Sequence, residues 1–463
     1  MSAKLATLFL TAFAMWLLWK ERKHAKGLSM AVWAPVLWAF IIGSKPISLW
    51  LGLSEDTGSQ TYVEDLLIDK VLYLALIVAA TIVLLRRRIK WGSTLSDNSW
   101  LLVFFLYLFI SIGWSDEPLS SFKRWVKDFG NVLMVLVLLS EKDPTQAVRA
   151  FFARCAFVFV PISLLVIKYY PAISMHYSRY DGRALFVGIS TNKNIFGMTM
   201  YVCSVVLIWL FIEARKPEFR KRDKLAWVRY GLVLLMTAWL EKKAESSTAL
   251  VCTLLGGGII FAIRMASFRR VIRHLGTIAG VAIGSVVVLQ ATGLWDALAA
   301  SFAAAVGRDP TFHGRKEIWA ALLQQDINPI LGVGYYSFWS PERILKISQG
   351  YSYQLNEAHN GYLETYLNSG VVGLFLLLAV IVVAANRIKR EMLAGVSLGA
   401  VRFAFLLAAI FYGMSEAIFN RLSLVWFVLL LAVLVPPRMR LKKQTIDLEA
   451  TEPLKFSHGV QGA

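Results

Sequence analysis

Cysteine is scarce in this chain, with three in 463 residues, and Cys155, Cys203 and Cys252 all sit inside apolar runs. That excludes a disulfide framework and a cysteine metal centre, since no pair has ligand spacing. Histidine is thin as well: six are scattered, only His313 and His359 share the longest polar stretch, and no metal-ligand set is expected. Gly332-Val333-Gly334 has no Lys-Ser/Thr after it and no parallel-sheet pattern around it, so a turn is expected there rather than a phosphate loop. Acidic residues are few, 30 Asp and Glu against 49 Lys and Arg, for a formal charge of +19. The cations fall in short clusters between apolar runs and form no single basic face, so no nucleic-acid partner is expected.

Apolar residues are what the chain has in quantity, at 57%, with a mean hydropathy of +0.57. Runs near membrane-span length recur at 3–19, 29–43, 69–86, 98–114, 129–140, 150–168, 194–212, 228–240, 248–265, 274–292, 369–386, 400–418 and 421–437. The expected fold class is an all-α polytopic membrane protein with about 12–13 transmembrane helices, the lipid bilayer being its solvent. The first run is followed by Lys20, Arg22, Lys23 and Lys26, the reverse of a cleavable signal peptide, and reads as a retained span.

The cation clusters 20–26, 86–88, 215–224, 264–273, 387–390 and 438–443 fall on alternate loops and mark the cytoplasmic side. The 141–149 loop carries almost no charge bias. The expected organisation is 1–290, about ten transmembrane helices; 291–368, a long extracytoplasmic loop; 369–437, C-terminal spans; and 438–463, a polar, disordered cytoplasmic tail.

The long loop is the functional candidate, because loops of that length that fold usually carry function. Within it, 314–325 has Ile318, Trp319, Leu322 and Leu323 at helical spacing, with Arg315 on or beside that apolar face. Such a cation wants an anion; pairing with Glu317 or Asp326 is the plainer alternative. A short helix is expected from a cap at Asn356 to about Asn368, stopped by Gly370. On it His359 shares a face with Tyr362, Leu363 and Tyr366, whereas Asn360 and Glu364 share another, so Glu364 is badly placed to orient His359. Other outer loops retain Arg124, Lys127, Arg179, Arg183, Lys193, Lys242 and Lys243, on the side where cations are disfavoured. An anionic ligand is the economical reason; pairing with Asp116, Glu117, Asp128 or Asp181 is the bland one. Tyr335, Tyr336, Phe338, Trp339, Tyr351 and Tyr353 fit sugar stacking, though packing in a loop core is the favoured reading.

At these residues the sequence resembles the O-antigen ligase and polymerase superfamily of bacterial envelope proteins, with its exopolysaccharide-polymerase branch nearest. The resemblance rests on Gly314, Arg315, Ile318 and Trp319; on Pro329, Gly332 and Gly334; and on Ala358, His359, Asn360, Leu363 and Glu364. The step Gly370 to Gly373 and the earlier Arg183, Asn192, Lys193, Asn194 and Gly197 also fit, over roughly 180–435.

The resemblance implies a glycosyltransferase of the bacterial inner membrane, working without cofactor, metal or nucleotide sugar at the extracytoplasmic face. It would move a glycan from a polyprenyl-pyrophosphate-linked oligosaccharide to an acceptor glycan hydroxyl. The expected roles are His359 as catalytic base, Arg315, Arg183, Arg124 and Lys193 as the pyrophosphate cradle, and Asn360, Glu364 and Asn194 in support. Candidate partners are a chain-length regulator and an export complex. The rivals are a ligase acting on lipid A core, a flippase for the same lipid-linked sugars, and a non-catalytic partner in a secretion complex.

Overall fold

The computed structural model describes residues 2–25, 27–53, 66–177, 182–274, 315–349 and 355–439. The expected span at 274–292, most of the first half of the long loop and nearly all of the tail lie outside the described residues. Among the described residues the regular secondary structure is helical apart from one two-stranded antiparallel ribbon, β1 (Met175–Tyr177) and β2 (Ala184–Phe186).

The helices that build the bundle are α1 (Ala3–His24), α2 (Trp33–Gly43), α3 (Leu67–Arg86), α4 (Ser99–Ile110), α5 (Pro118–Leu139), α6 (Pro144–Tyr169), α7 (Lys193–Ala214), α8 (Ala226–Ala244) and α9 (Ser247–Ala262). After them come α10 (Arg315–Leu323) and α11 (Pro341–Ser348) in the loop, then α12 (Gly361–Leu393), α13 (Ser397–Tyr412) and α14 (Leu424–Val433). The chain is a multi-pass membrane protein. Among the described residues α1, α3, α6, α7 and α12 are each long and apolar enough to cross a bilayer, with shorter apolar helices at 30–43, 247–262, 398–412 and 424–433. α6 and α7 are mostly buried inside the bundle, whereas α1 and α3 turn most of their surface outward.

Capping is local and readable. Asp143 accepts from Gln146 N (2.9 Å) ahead of α6, Asn192 from Ile195 N (2.9 Å) ahead of α7, and Ser423 from Trp426 N (3.2 Å) ahead of α14. Several charged side chains buried among the helices are paired. Arg154 pairs with Glu21 (2.7 Å) and Arg402 with Glu391 (2.8 Å), and Glu241 accepts from Ser204 Oγ (3.1 Å) and Thr253 Oγ1. At the other end Arg438 pairs with Asp97 (3.0 Å), so the first residues assigned to the tail are pinned to the bundle.

Two expectations need correction. The 115–128 stretch, read as a loop, belongs to α5: Pro118 opens it, and nothing in the next 20 residues breaks it. The second concerns α12, which begins at Gly361 rather than after Asn356, because Asn360 Oδ1 accepts from the N–H of Tyr362 (3.0 Å) and Leu363 (3.1 Å). Nor does Gly370 stop it; with φ 61° and ψ −167° the residue kinks the helix and lets it run on into the membrane. The N–H groups of Val371 and Val372 turn to the carbonyls of Pro329 (3.0 Å) and Ile330 (3.2 Å), so the 329–334 turn is the kink's missing hydrogen-bond partner.

A Cβ on Gly370 would collide with the Ile330 carbonyl, and one on Gly332 with the Asn368 backbone. Gly370→Ala therefore carries about 1–2 kcal/mol of left-handed strain plus a clash. The expected outcome is a lower melting midpoint in detergent; unchanged melting would show that the turn can move away.

The loop has its own small core of Ile318, Leu322, Val333, Phe338, Trp339, Ile344, Ile347, Leu355, Ala358 and Leu367. Tyr335 is buried in the main bundle core, while Phe338 and Trp339 are buried in the loop's own core, so these three rings do packing work.

Candidate functional site

α5 presents Ser120, Lys123, Arg124, Lys127 and Asp128 along one face, at helical spacing. That face walls a cavity of about 760 Å³. The cavity is closed by α2 and α3, by the start of α7, by the 335–339 segment, and by the 413–423 segment between α13 and α14.

Lys70 of α3, Lys123, Arg124 and Lys127 of α5 and Arg421 line the cavity as cations, Glu117, Asp128, Glu357 and Glu416 line it as carboxyl groups, and Asn420 lines it too. Ile41, Ile42, Leu74 and Ile77 extend the cavity as an apolar surface of α2 and α3. Beside them Asp128 is fixed by Trp426 Nε1 (2.6 Å), Asn131 Nδ2 (3.2 Å) and Tyr335 OH (3.3 Å), which ties α5 to α14 and to the loop.

His359 is not itself a lining residue but contacts two that are, Glu357 and Glu416. Its Nδ1 is 3.1 Å from Glu357 Oε1 and 3.5 Å from Glu416 Oε2, and Asn194 Nδ2 donates to Glu416 Oε1 (3.2 Å). Burial alone would discharge the imidazole, but the two carboxylates outweigh it and push its pKa up to about 10. Both contacts are ion-pair distances to a buried Nδ1 that meets hydrogen-bond geometry with neither carboxylate.

Glu357 also accepts from Arg421 (3.0 Å), which donates in turn to Glu364 (3.0 Å). The result is an alternating ladder, Glu416, His359, Glu357, Arg421, Glu364. Burial works against charge on Arg421, yet Tyr336, Glu364 and Glu357 raise its pKa, so it stays a guanidinium. Tyr336 is clasped by two cations, with Arg124 4.4 Å and Arg421 5.6 Å from its ring centre, and its carbonyl accepts from Arg124 (3.0 Å).

Among the described residues four non-glycines have left-handed φ; two of them, Tyr336 (54°) and Asn420 (55°), line this cavity, and a third, His359 (47°), contacts its lining residues Glu357 and Glu416. Such strain costs of order 1–3 kcal/mol each and collects where surrounding structure holds a site in shape.

Arg124 and Asn194 line the cavity, and His359 is joined to it through Glu357 and Glu416. His359 precedes α12, so the helical face expected for it does not exist; Glu357 and Glu416 orient it. Glu364 is one step further out, buried, accepting from Trp339 Nε1 (2.7 Å) and Ala358 N (3.1 Å) as well as Arg421. Asn360 is the helix cap. Arg183 is exposed beside the ribbon, and Lys193 opens α7 next to Asn194; the cavity is lined by Thr191, Asn194 and Ile195 instead. The Arg315 side chain lies outside the described residues.

Sequence reasoning missed Lys70, Lys123, Glu357, Glu416, Asn420 and Arg421. A signal existed for three of them: Lys70, Glu416 and Arg421 are charges inside the apolar runs 69–86, 400–418 and 421–437, and intramembrane ionisable residues are functional candidates by default. The ligand atoms of Glu357, His359 and Glu416 lie within 4.8 Å of one another, near enough to hold a metal ion if Nδ1 lost its proton. As the chain stands, the imidazolium supplies the positive charge between the two carboxylates.

Residues 232–378 match the family model described as O-Antigen ligase. That range contains Arg315, His359 and Glu364, while Arg124, Asn194, Glu416, Asn420 and Arg421 lie outside it. Over 298 residues the chain is 27% identical to the exopolysaccharide production protein ExoQ of Rhizobium meliloti (strain 1021), covering 62% of this chain. The aligned part spans 64% of the length of that relative. The chain is thus similar to the O-antigen ligase family over residues 232–378 and, over 298 residues, to a protein of exopolysaccharide production.

Proposed function

We propose that this protein is an envelope polysaccharide polymerase or ligase of the bacterial inner membrane. It transfers a glycan from a polyprenyl-pyrophosphate-linked donor to an acceptor sugar hydroxyl on the extracytoplasmic face. The observation that carries this reading is that one cavity is lined by the cations of α3 and α5 and by the carboxylates of an imidazole–carboxylate cluster, continuous with apolar surface on α2 and α3. Pyrophosphate fits the first, because guanidinium and ammonium groups bind phosphate oxygens with charge-assisted hydrogen bonds. A polyprenyl tail fits the apolar surface.

In this mechanism Lys123, Arg124, Lys127 and Lys70 hold the pyrophosphate and steady its charge as it leaves. Arg315, Arg183 and Lys193 join the cradle by the family resemblance alone. His359, once neutral, takes the proton of the acceptor hydroxyl, and Glu357 and Glu416 fix the ring and stabilise the imidazolium that forms. The hydroxyl oxygen attacks the anomeric carbon as its bond to the pyrophosphate oxygen breaks, with inversion. Retained configuration in the product linkage would remove this single-displacement scheme.

Removing two of the lining cations, Lys123→Ala with Lys127→Ala, is expected to weaken binding of a synthetic polyprenyl-pyrophosphate glycan at least tenfold. Unchanged donor affinity would move the cradle elsewhere. Arg315→Lys is expected to impair transfer severely, since a point charge cannot reproduce the guanidinium fork; wild-type rates would make Arg315 structural.

A further inference from the structure

We propose that Arg421 is a positioning residue for glycan transfer: through Glu357 and Glu364 it holds the segment that carries His359, and it stands outside the cradle that grips the donor's diphosphate. The inference rests on the glycan-transfer reading above and adds to it which of the lining cations serves the base.

Residues 355–360 form neither helix nor strand, so the place of His359 depends on side-chain ties, and its backbone bears a left-handed φ of 47° one residue before the Asn360 cap. Arg421 supplies two such ties. Its Nη1 donates to Glu357 Oε2 (3.0 Å), and the other oxygen of that carboxylate, Oε1, lies 3.1 Å from His359 Nδ1. Its Nη2 donates to Glu364 Oε1 (3.0 Å), while Glu364 Oε2 accepts from the backbone N–H of Ala358 (3.1 Å), the residue before the histidine. One guanidinium therefore reaches the base both through the carboxylate beside its ring and through the backbone that carries it. A rigid planar fork suits that task, because its two ends cannot drift apart. Trp339 Nε1 (2.7 Å) braces Glu364 from the loop core.

The same contacts keep Arg421 out of the cradle. It lines the cavity, as Lys70 and Lys123 do, but those two lysines are exposed whereas the Arg421 side chain is 15% exposed. Glu357 and Glu364 outnumber its single positive charge, so a diphosphate arriving there would meet net negative charge.

Arg421→Gln alone strands two buried carboxylates and is destabilising. The test therefore pairs Arg421→Gln with Glu364→Gln, which removes one charge of each sign and leaves Glu357 in place; Arg421→Lys, which keeps the charge and loses the fork, is the second variant. Full-length proteins in liposomes are given a synthetic polyprenyl-pyrophosphate oligosaccharide, and donor binding and turnover are measured separately. The paired variant is expected to lower kcat about 10- to 100-fold while donor Kd stays within about twofold of wild type, a split that also reports a folded cavity. Arg421→Lys is expected to fall between the two in kcat with wild-type donor affinity. Wild-type kcat in the paired variant overturns the proposal, and so does a donor Kd raised tenfold or more in Arg421→Lys, which would put Arg421 in the cradle. Failure of the wild-type protein to transfer at all would instead sink the transfer reading itself.

Discussion

His359→Ala is expected to abolish polymer formation while the protein accumulates and inserts normally. General-base catalysis typically contributes about 10²- to 10⁴-fold, so the residual rate should fall in that range below wild type. The variant should keep the wild-type affinity for the lipid-linked donor, because the lining cations proposed to hold the diphosphate stand on α3 and α5 and do not include the imidazole. Chain length and yield of polymer in a deletion strain complemented with the variant, together with its membrane level, check this. A silent His359→Ala would point to a non-catalytic partner in a secretion complex.

The second large effect is on pH. A base must be neutral to accept a proton, and the two carboxylates push His359 up to about 10. Below that value its neutral fraction falls about tenfold per pH unit, so kcat/KM should climb with pH through the neutral range. Glu416→Gln removes one of the two anions that favour the charged ring while leaving Glu357 at 3.1 Å. The ring's pKa then drops, and the rising limb moves to lower pH by about a unit or more. Glu357→Gln should do the same, with added loss of stability because Arg421 loses a partner. A profile flat from about pH 6 to 9 in the wild type would take the base role from the ring and give it to a carboxylate of the cluster.

How much of this was legible in the sequence depends on the kind of signal. Apolar runs near span length gave the all-α membrane architecture, because a bilayer leaves the backbone no alternative but to satisfy itself within helices. His359 was visible as the one histidine beside Asn360 and Glu364 in a loop that folds, and Arg124 as a cation on the disfavoured side. Its companions were hidden by distance along the chain. Glu416 lies 57 positions beyond His359 and reaches it at 3.5 Å, a pairing that only the packing of α13 against α12 creates. Lys123, Arg124 and Lys127 were read as loop residues, since polar side chains on a helix facing a cavity break the apolar pattern that marks a span. The helix register around His359 was misread for a local reason: Asn356 and Asn360 are both good caps, and the backbone of His359 turns left-handed before the second one. Gly370 was read as a stop because glycine usually is one, whereas here the 329–334 turn supplies the acceptors that let the helix continue.

In the proposed function one cavity grips a lipid-linked diphosphate and transfers its glycan to a sugar. The most direct measurement is reconstitution of the purified protein in liposomes with a synthetic polyprenyl-pyrophosphate oligosaccharide and no nucleotide sugar, followed by product sizing. Chains are expected to lengthen with release of polyprenyl pyrophosphate, and His359→Ala to stop both while still binding the donor. Donor moved across the bilayer without any chain growth, or equal growth with the His359→Ala protein, would contradict it.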